Sequence, residues 1–390
     1  PSPPLGEILA TISETDLIEA FSLEDVSTKI EDCETVASFN WLNRADPTIV
    51  VPGEPPAWSP LDTPRKLSED SGQYFRDQNA ARLPSYPLQP AVESILLEEP
   101  TFPTTEVDIV ACGSTLGNLL RFVRKVDKPF RMLVEVVGST VFFIRRENTP
   151  TELIQGVYGY GHTFPEAYTT WAPEVKGSES SQRIIQYSFG GAKCLVRFEA
   201  DGYHPEMVSG SETESSLIQP TNEEKEDMEA SENSLLATLS GASIGMHLPK
   251  SSTLILRPGG RHISQEAVFD LKTRTIKKVD TDVVGEELPR LWISQIPNFI
   301  LAFHNRGVFE EIRKIDTRQR VQEWERENKP TLCQFASLLN KIIRFARGCE
   351  EERFELRRTE GSNTLELRRQ CDDACRALPE HLVARWTTET

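Results

Sequence analysis

Two stretches set glycines at the centre of alternating apolar residues, and they restrict the fold more than any other feature of the chain. "FRMLVEVVGSTVFFIRRE" (130–147) turns at Gly138-Ser139, and "RIIQYSFGGAKCLVRFEADGY" (183–203) turns at Gly190-Gly191. Period-two apolar runs that meet at short glycine turns read as antiparallel hairpins, and such hairpins need a wider sheet to bury one face. "STLILRPGG" and "QEAVFDLKTRTIKK" add strands, while "VDIVACGSTLGNLLRFVRK" (107–125) reads strand, tight turn, helix. "LPRLWISQIPNFILAFHNRGVFEEIRK" passes from a helical turn into a strand, and "TLCQFASLLNKIIRFARGC" (331–349) carries apolar residues at helical spacing. The expected class is α/β (α+β), with mixed, mostly antiparallel sheets flanked by helices and no internal repeat. Residues 1–66, rich in proline ("VVPGEPPAWSPLDTP", 50–64), are expected as an arm packed on a single domain over 67–390.

Charge is distributed unevenly. The net charge of −17 weighs against nucleic acid, but nine acids and one lysine fall between Glu206 and Glu232. That polar, low-complexity stretch is expected as a disordered acidic insertion over 205–245. Basic clusters remain at 121–131, 257–261 and 272–278. Seven irregularly spaced cysteines without a CxxC pair, and no visible secretory leader, suggest an intracellular chain, nuclear or cytoplasmic. No apolar run is long enough for a membrane span, so no membrane partner is expected. Oligomeric state is not legible.

The hairpin ending "FEADG" puts Glu199 and Asp201 on one strand face, and "FDLKT" does the same for Asp270 and Lys272. Were the two strands paired, three carboxylates and a lysine would form a hard-oxygen cage suited to Mg2+ or Mn2+. Such a cage supports attack on a phosphodiester, with Lys272 orienting or deprotonating a water. A solvated face with cross-strand ion pairs stays open on this pattern alone.

Six segments in order resemble the DXO-type decapping exoribonucleases: "LSEDSGQYFRDQ" (67–78), "VDIVACGSTLGNLLRF" with "VEVVGSTVFFI", "GYGHTFPEAYT" (159–169), "FEADG", "FDLKT" and "LWISQIPNFILAFHNRGV". The resemblance implies a decapping-nuclease-like core, divalent-metal-dependent processing of RNA 5′ ends, and metal held by Glu199, Asp201 and Asp270. It implies catalytic or supporting roles for Lys272, Glu166 and Gln295. The departures are specific. Gly113 stands where the family has arginine, Pro165 where it has glutamate (Glu166 follows one place late), and Asp270 where it has glutamate. The segment after Gln295 is also shorter. These departures keep an alternative open, a catalytically inactive pseudo-nuclease acting as an RNA-binding or protein-interaction scaffold.

Arg183, Arg197 and Arg257 are candidate contacts to RNA phosphates, with an ion pair to a neighbouring acid as the plainer role for each. "CGSTLGN" (112–118) lacks the lysine and spacing of a nucleotide loop and reads as a strand-to-helix turn. Cys112 and Ser114 lack an activating histidine and acid nearby in sequence. His162 and His204 flank the motifs. A prenyl-transferase reading would need paired DDxxD helices, which the sequence does not contain.

Overall fold

The computed structural model describes residues 2–18, 27–208, 253–371 and 375–388. The expected acidic insertion over 205–245 lies almost wholly outside the described residues. The strands are β1 (Ile8–Ser13), β2 (Glu31–Leu42), β3 (Thr48–Val51), β4 (Ala57–Trp58), β5 (Ile109–Cys112), β6 (Phe130–Val137), β7 (Thr140–Arg146), β8 (Thr169–Thr170), β9 (Ser178–Phe189), β10 (Ala192–Ala200), β11 (Gly202–Tyr203), β12 (Ile255–Pro258), β13 (Val268–Thr275), β14 (Asn298–Asn305), β15 (Val308–Asp316), β16 (Arg353–Arg358) and β17 (Thr364–Arg369). The helices are α1 (Glu14–Ile18), α2 (Gln78–Arg82), α3 (Gln89–Glu98), α4 (Gly113–Val123), α5 (Thr163–Tyr168), α6 (Val283–Ser294), α7 (Arg318–Glu327), α8 (Lys329–Gly348) and α9 (Glu380–Trp386).

Among the described residues, eleven strands form one sheet in the order β1-β17-β16-β6-β7-β5-β10-β9-β2-β3-β12. Six form a second, in the order β15-β14-β13-β11-β4-β8. Both expected hairpins form: β6 pairs β7 antiparallel around Gly138, and β9 pairs β10 around Gly190 and Gly191. Parallel pairs enter at β5 with β7 and β10, at β3 with β12, and at β13 with β14. The N-terminal residues contribute β1, β2 and β3 to the large sheet and β4 to the small one. Strand β2 lies against β9, and Phe39 and Trp41 on it are fully buried. The prolines of 50–64 mark the passage from β3 in the large sheet to β4 in the small one.

The two faces of the large sheet bury different partners. One face packs Ile185, Cys194 and Val196 against α4, α6 and α8, through Leu119, Trp292 and Leu339. The other packs Phe39, Trp41 and Phe142 against α3 and α9, through Ile95 and Trp386. The small sheet divides by strand period. Phe299, Leu301 and Phe303 of β14 join the helical core, while Phe269, Leu271, Ile300 and Ala302 pack behind with Phe164 and Tyr168 of α5. Asp270 and Lys272 stand opposite Phe299 and Leu301 in the ladder, so they share the face turned toward the helices. Among the described residues, no helix is long and apolar enough to cross a membrane.

Candidate functional site

One chain segment joins the sheets. Strand β10 ends at Ala200 in the large sheet, and β11 begins at Gly202 in the small one. Asp201 is the single residue between them. The crossing requires glycine next: a Cβ on Gly202 would lie 2.8 Å from the Pro56 carbonyl oxygen and closer still to the Phe269 ring. The same short pairing, Gly202 with Phe269 and Tyr203 with Val268, brings β13 alongside.

The carboxylates therefore meet. The Leu271 N–H donates to Asp201 Oδ2 at 2.6 Å and to Asp270 Oδ1 at 2.8 Å, which holds the two side chains together. Burial lifts the Asp201 carboxyl well above its usual range, and the charge of Asp270 and a hydrogen bond to it add to the effect. Glu199 opens onto the cleft. Its carboxyl is raised chiefly by enclosure, against the opposing pull of Gln182 and Arg197.

Helix α6 supplies the opposing charge. Arg290 Nη1 forms an ion pair with Asp270 Oδ2, and its Nε donates to Glu287 Oε2 at 3.0 Å. Lys272 is bound by the other oxygen of Glu287 at 2.5 Å. The charges thus run Lys272, Glu287, Arg290, Asp270, Asp201 in one chain. Burial alone would lower the Arg290 guanidinium, but Asp270, then Glu287 and Asp201, hold it well above its ordinary value.

The far wall of the same cleft is basic. A cavity of about 540 Å3 runs from Glu199, Asp270 and Arg290 to Arg76, Arg121, Arg124 and Arg145. Gly113, Gly117, Leu120, Arg121 and Arg124 line it from one face of α4, at spacings of four, seven, eight and eleven residues from Gly113. Burial lowers Arg121, and crowding by Arg124 and Arg145 lowers it further. Lys128 is lowered first by Arg121, then by burial, Arg76 and Arg145. Arg145 and Arg76 share Glu147. Among the described residues, no carboxylate lies within ion-pair distance of Arg121, Arg124 or Lys128. The buried Nε atoms of Arg121 and Arg197 have no hydrogen-bond partner. Cations pressed together with Glu147 as their main counter-charge raise the free energy of the cleft and favour an anion in it.

The residues singled out from sequence fall into two groups. Glu199, Asp201, Asp270 and Lys272 share one charged network, and Arg197 joins the cavity wall while donating to the Pro87 carbonyl at 3.1 Å. Glu166 does not come to the cleft. Helix α5 starts at Thr163 and packs behind β13, so Glu166 lies beside Asp70 and Tyr74 on the other face of the small sheet. Gln295 is a helix terminator with φ 50°, and its Nε2 donates to the Trp292 carbonyl at 2.5 Å. Arg257 is on β12, an edge strand away from the cavity. His162 stacks on Tyr74 with ring centres 3.6 Å apart, and His204 is buried against Phe269. Arg290, Glu287 and the arginines of α4 and β7 were not singled out, although Glu287 and Arg290 stand three apart on a helix and Arg121 and Arg124 fall in a basic cluster.

Arg183 is a core residue. It is fully buried and donates to Gln265 Oε1 at 3.0 Å, Thr35 Oγ1 at 3.1 Å and the Ile263 carbonyl at 2.8 Å. Burial brings its guanidinium down to about 10, against the pull of nearby Glu98. Burial in turn pushes Glu98 up to about 7. A carboxyl raised on folding favours the folded state at low pH, and that contribution is lost as pH rises from its unfolded value through 7. Glu98→Gln is therefore expected to gain melting temperature relative to the parent between pH 5 and pH 8. Melts at pH 5, 6.5 and 8 check this, and parallel curves would contradict it.

With Arg290 seated against Asp270 the donor set does not fit a divalent ion. Asp270 Oδ1 accepts the Leu271 N–H, its Oδ2 accepts no hydrogen bond but is ion-paired with Arg290, and Asp201 is tied to both Leu271 and Asp270. Among the described residues, no three His, Cys, Asp or Glu side chains are grouped as a metal site.

A family model described as a domain of unknown function (DUF8563) matches residues 16–375. The chain belongs to the DUF8563 family. No curated protein sequence matches this DUF8563 chain. Its fold is that of the Rai1 structures. Rai1 of Scheffersomyces stipitis aligns with a TM-score of 0.57 at 12% identity, covering 99% of this chain and 99% of that one. S. pombe Rai1 in complex with 3′-FADP aligns at 0.54 and 12%, covering 93% of this chain and 99% of its own. Candida albicans Rai1 in complex with pU5 and Mn2+ aligns at 0.52 and 10%, covering 97% and 99%. At these identities the likeness is one of fold.

Proposed function

We propose that this chain is an intracellular RNA 5′-end protein that seats a terminal phosphate in the arginine-lined cleft. The observation that carries the reading is the pair Arg121 and Arg124, which line one cavity wall without carboxylate partners, with Lys128 crowded against Arg121. Guanidinium groups suit phosphate because their planar N–H forks bind its oxygens in pairs. The Rai1 proteins that share the fold were determined with phosphate-bearing ligands, 3′-FADP and pU5, which supports the same ligand class here. In this reading Arg121, Arg124 and Arg145 bind and orient the phosphate, Arg76 and Lys128 draw it in, and Phe198 and Ile293 exclude water beside it. The acids serve to anchor Arg290, and the chain acts as a scaffold for RNA more than as a hydrolase.

A second reading, 5′-end hydrolysis assisted by Mg2+ or Mn2+, is supported by the pairing of Asp201 with Asp270 and by the charge of Glu199 near them. One experiment separates the two. Short RNAs with 5′-hydroxyl, 5′-phosphate, 5′-triphosphate and capped ends are bound and incubated with and without Mn2+, using the parent, Asp201→Asn and Asp270→Asn. The scaffold reading expects preference for phosphorylated ends, no turnover, and variants that bind as well as the parent or up to about tenfold tighter, because a carboxylate near phosphate is removed. Turnover by the parent that both variants lose would establish the hydrolase. Equal binding of hydroxyl and phosphate ends would end the phosphate reading.

A further inference from the structure

We infer that Arg290 is the resident cation of the acidic end of this cleft, and that it keeps divalent ions from Asp201 and Asp270. The inference deepens the scaffold reading and rests on it only for the identity of the ligand.

The argument starts from the carboxylate oxygens. A hard divalent ion takes about six oxygen ligands, and carboxylates must offer it free lone pairs. Asp270 is only 3% exposed; its Oδ1 accepts the Leu271 N–H, and its Oδ2, which accepts no hydrogen bond, has the Arg290 guanidinium as its ion-pair partner. Arg290 is itself held twice, because Glu287 grips its Nε at 3.0 Å while Lys272 fixes Glu287 from the other side. An ion entering between the aspartates must displace the guanidinium from Asp270 and leave it facing the crowded arginines of the opposite wall. The guanidinium is a better resident than a lysine would be. It is planar, always charged, and able to bridge the carboxylates of two elements, β13 and α6, at once.

The direction in which Arg290 is open gives it a further property. Its side chain is 49% exposed and lines the cavity, whereas Asp270 and Glu287, which line it too, are only 3% and 11% exposed. An anion in the cleft therefore meets N–H donors at this end as well as at the α4 end. An unshielded pair of aspartates would have repelled it.

The test needs no RNA for its first arm. Mn2+ is titrated into the full chain by calorimetry and by electron paramagnetic resonance, for the parent, Arg290→Ser and Arg290→Lys. The parent is expected to bind Mn2+ no better than the millimolar range, and Arg290→Ser to bind about 10–100-fold more tightly. Arg290→Ser should also gain melting temperature on adding Mn2+, which the parent does not. Should Arg290→Ser fail to fold, Arg290→Lys keeps the positive charge but cannot bridge both acids, and about tenfold tighter Mn2+ binding than the parent is expected from it. Micromolar Mn2+ binding by the parent, or equal Mn2+ affinities across the folded variants, would overturn the inference. In the second arm, binding of 5′-phosphorylated RNA by the parent is measured in EDTA and in Mn2+, with equal affinities expected. Failure of the parent to bind RNA at all would sink the scaffold reading while leaving the Mn2+ result to stand alone.

Discussion

Trp292→Ala is expected to lower the unfolding free energy by about 3–5 kcal/mol, the usual cost of emptying a fully buried tryptophan site. Trp292 is 1% exposed on α6 and lies edge-on to Phe189 at 5.2 Å and Phe335 at 6.3 Å, with Trp324 tilted against it at 5.7 Å. Its Nε1 donates to Glu325 Oε2 at 2.8 Å, and the same oxygen accepts the Ile30 N–H at 3.3 Å. Truncation leaves a cavity and also removes a buried donor from Glu325, so two penalties add. The side chain matters beyond stability because it anchors the helix whose opposite face carries Glu287 and Arg290. Urea unfolding measures the loss, with Trp292→Phe as the control that keeps most of the volume and recovers part of it. A loss under about 1 kcal/mol would mean that the surrounding rings close over the gap.

The second large effect belongs to the basic wall. Arg121→Gln combined with Arg124→Gln is expected to weaken binding of 5′-phosphorylated RNA by about 10–100-fold at moderate salt. It should also flatten the dependence of log affinity on log salt by about 0.7 for each lost single-strand phosphate contact. Folding should not suffer to match. The Arg121 charge is disfavoured in the folded state by burial and by its neighbours, so removing it relieves crowding. Anisotropy titrations across a salt series, with melts of the same samples, check both halves. An unchanged slope would place the RNA elsewhere.

The elements that are local in sequence were legible. The hairpins β6–β7 and β9–β10 follow from glycine turns and period-two runs, and α8 follows from its apolar spacing. The alternation in "FDLKT" and "FEADG" was also enough to put the acids on one side, because a strand has only two faces. What failed depended on which distant segment covers which face. Glu166 sits in a motif that reads well, yet α5 packs behind β13, and nothing near residue 166 says so. Arg183 read as a strand arginine for an RNA phosphate or a neighbouring acid, but its hydrogen-bond partners come from residues 35, 263 and 265. Arg290 was missed for the same reason. Its i,i+3 spacing with Glu287 marks only a helix-surface pair, and its tie to Asp270 is made across the cleft.

The crossing at Asp201 also has a kinetic meaning. The hairpins can close early, since their ladders join residues a few positions apart, whereas the bond from Leu271 to Asp201 spans 70 residues of chain. The aspartate pair and its arginine therefore come into being only after the two sheets have docked, late on any route that forms local contacts first. A phosphate ligand that touches both walls would find only the arginine wall before docking and would gain the Arg290 end with it. It acts as a latch on the finished fold, raising the cost of undocking by an amount set by its concentration over its dissociation constant.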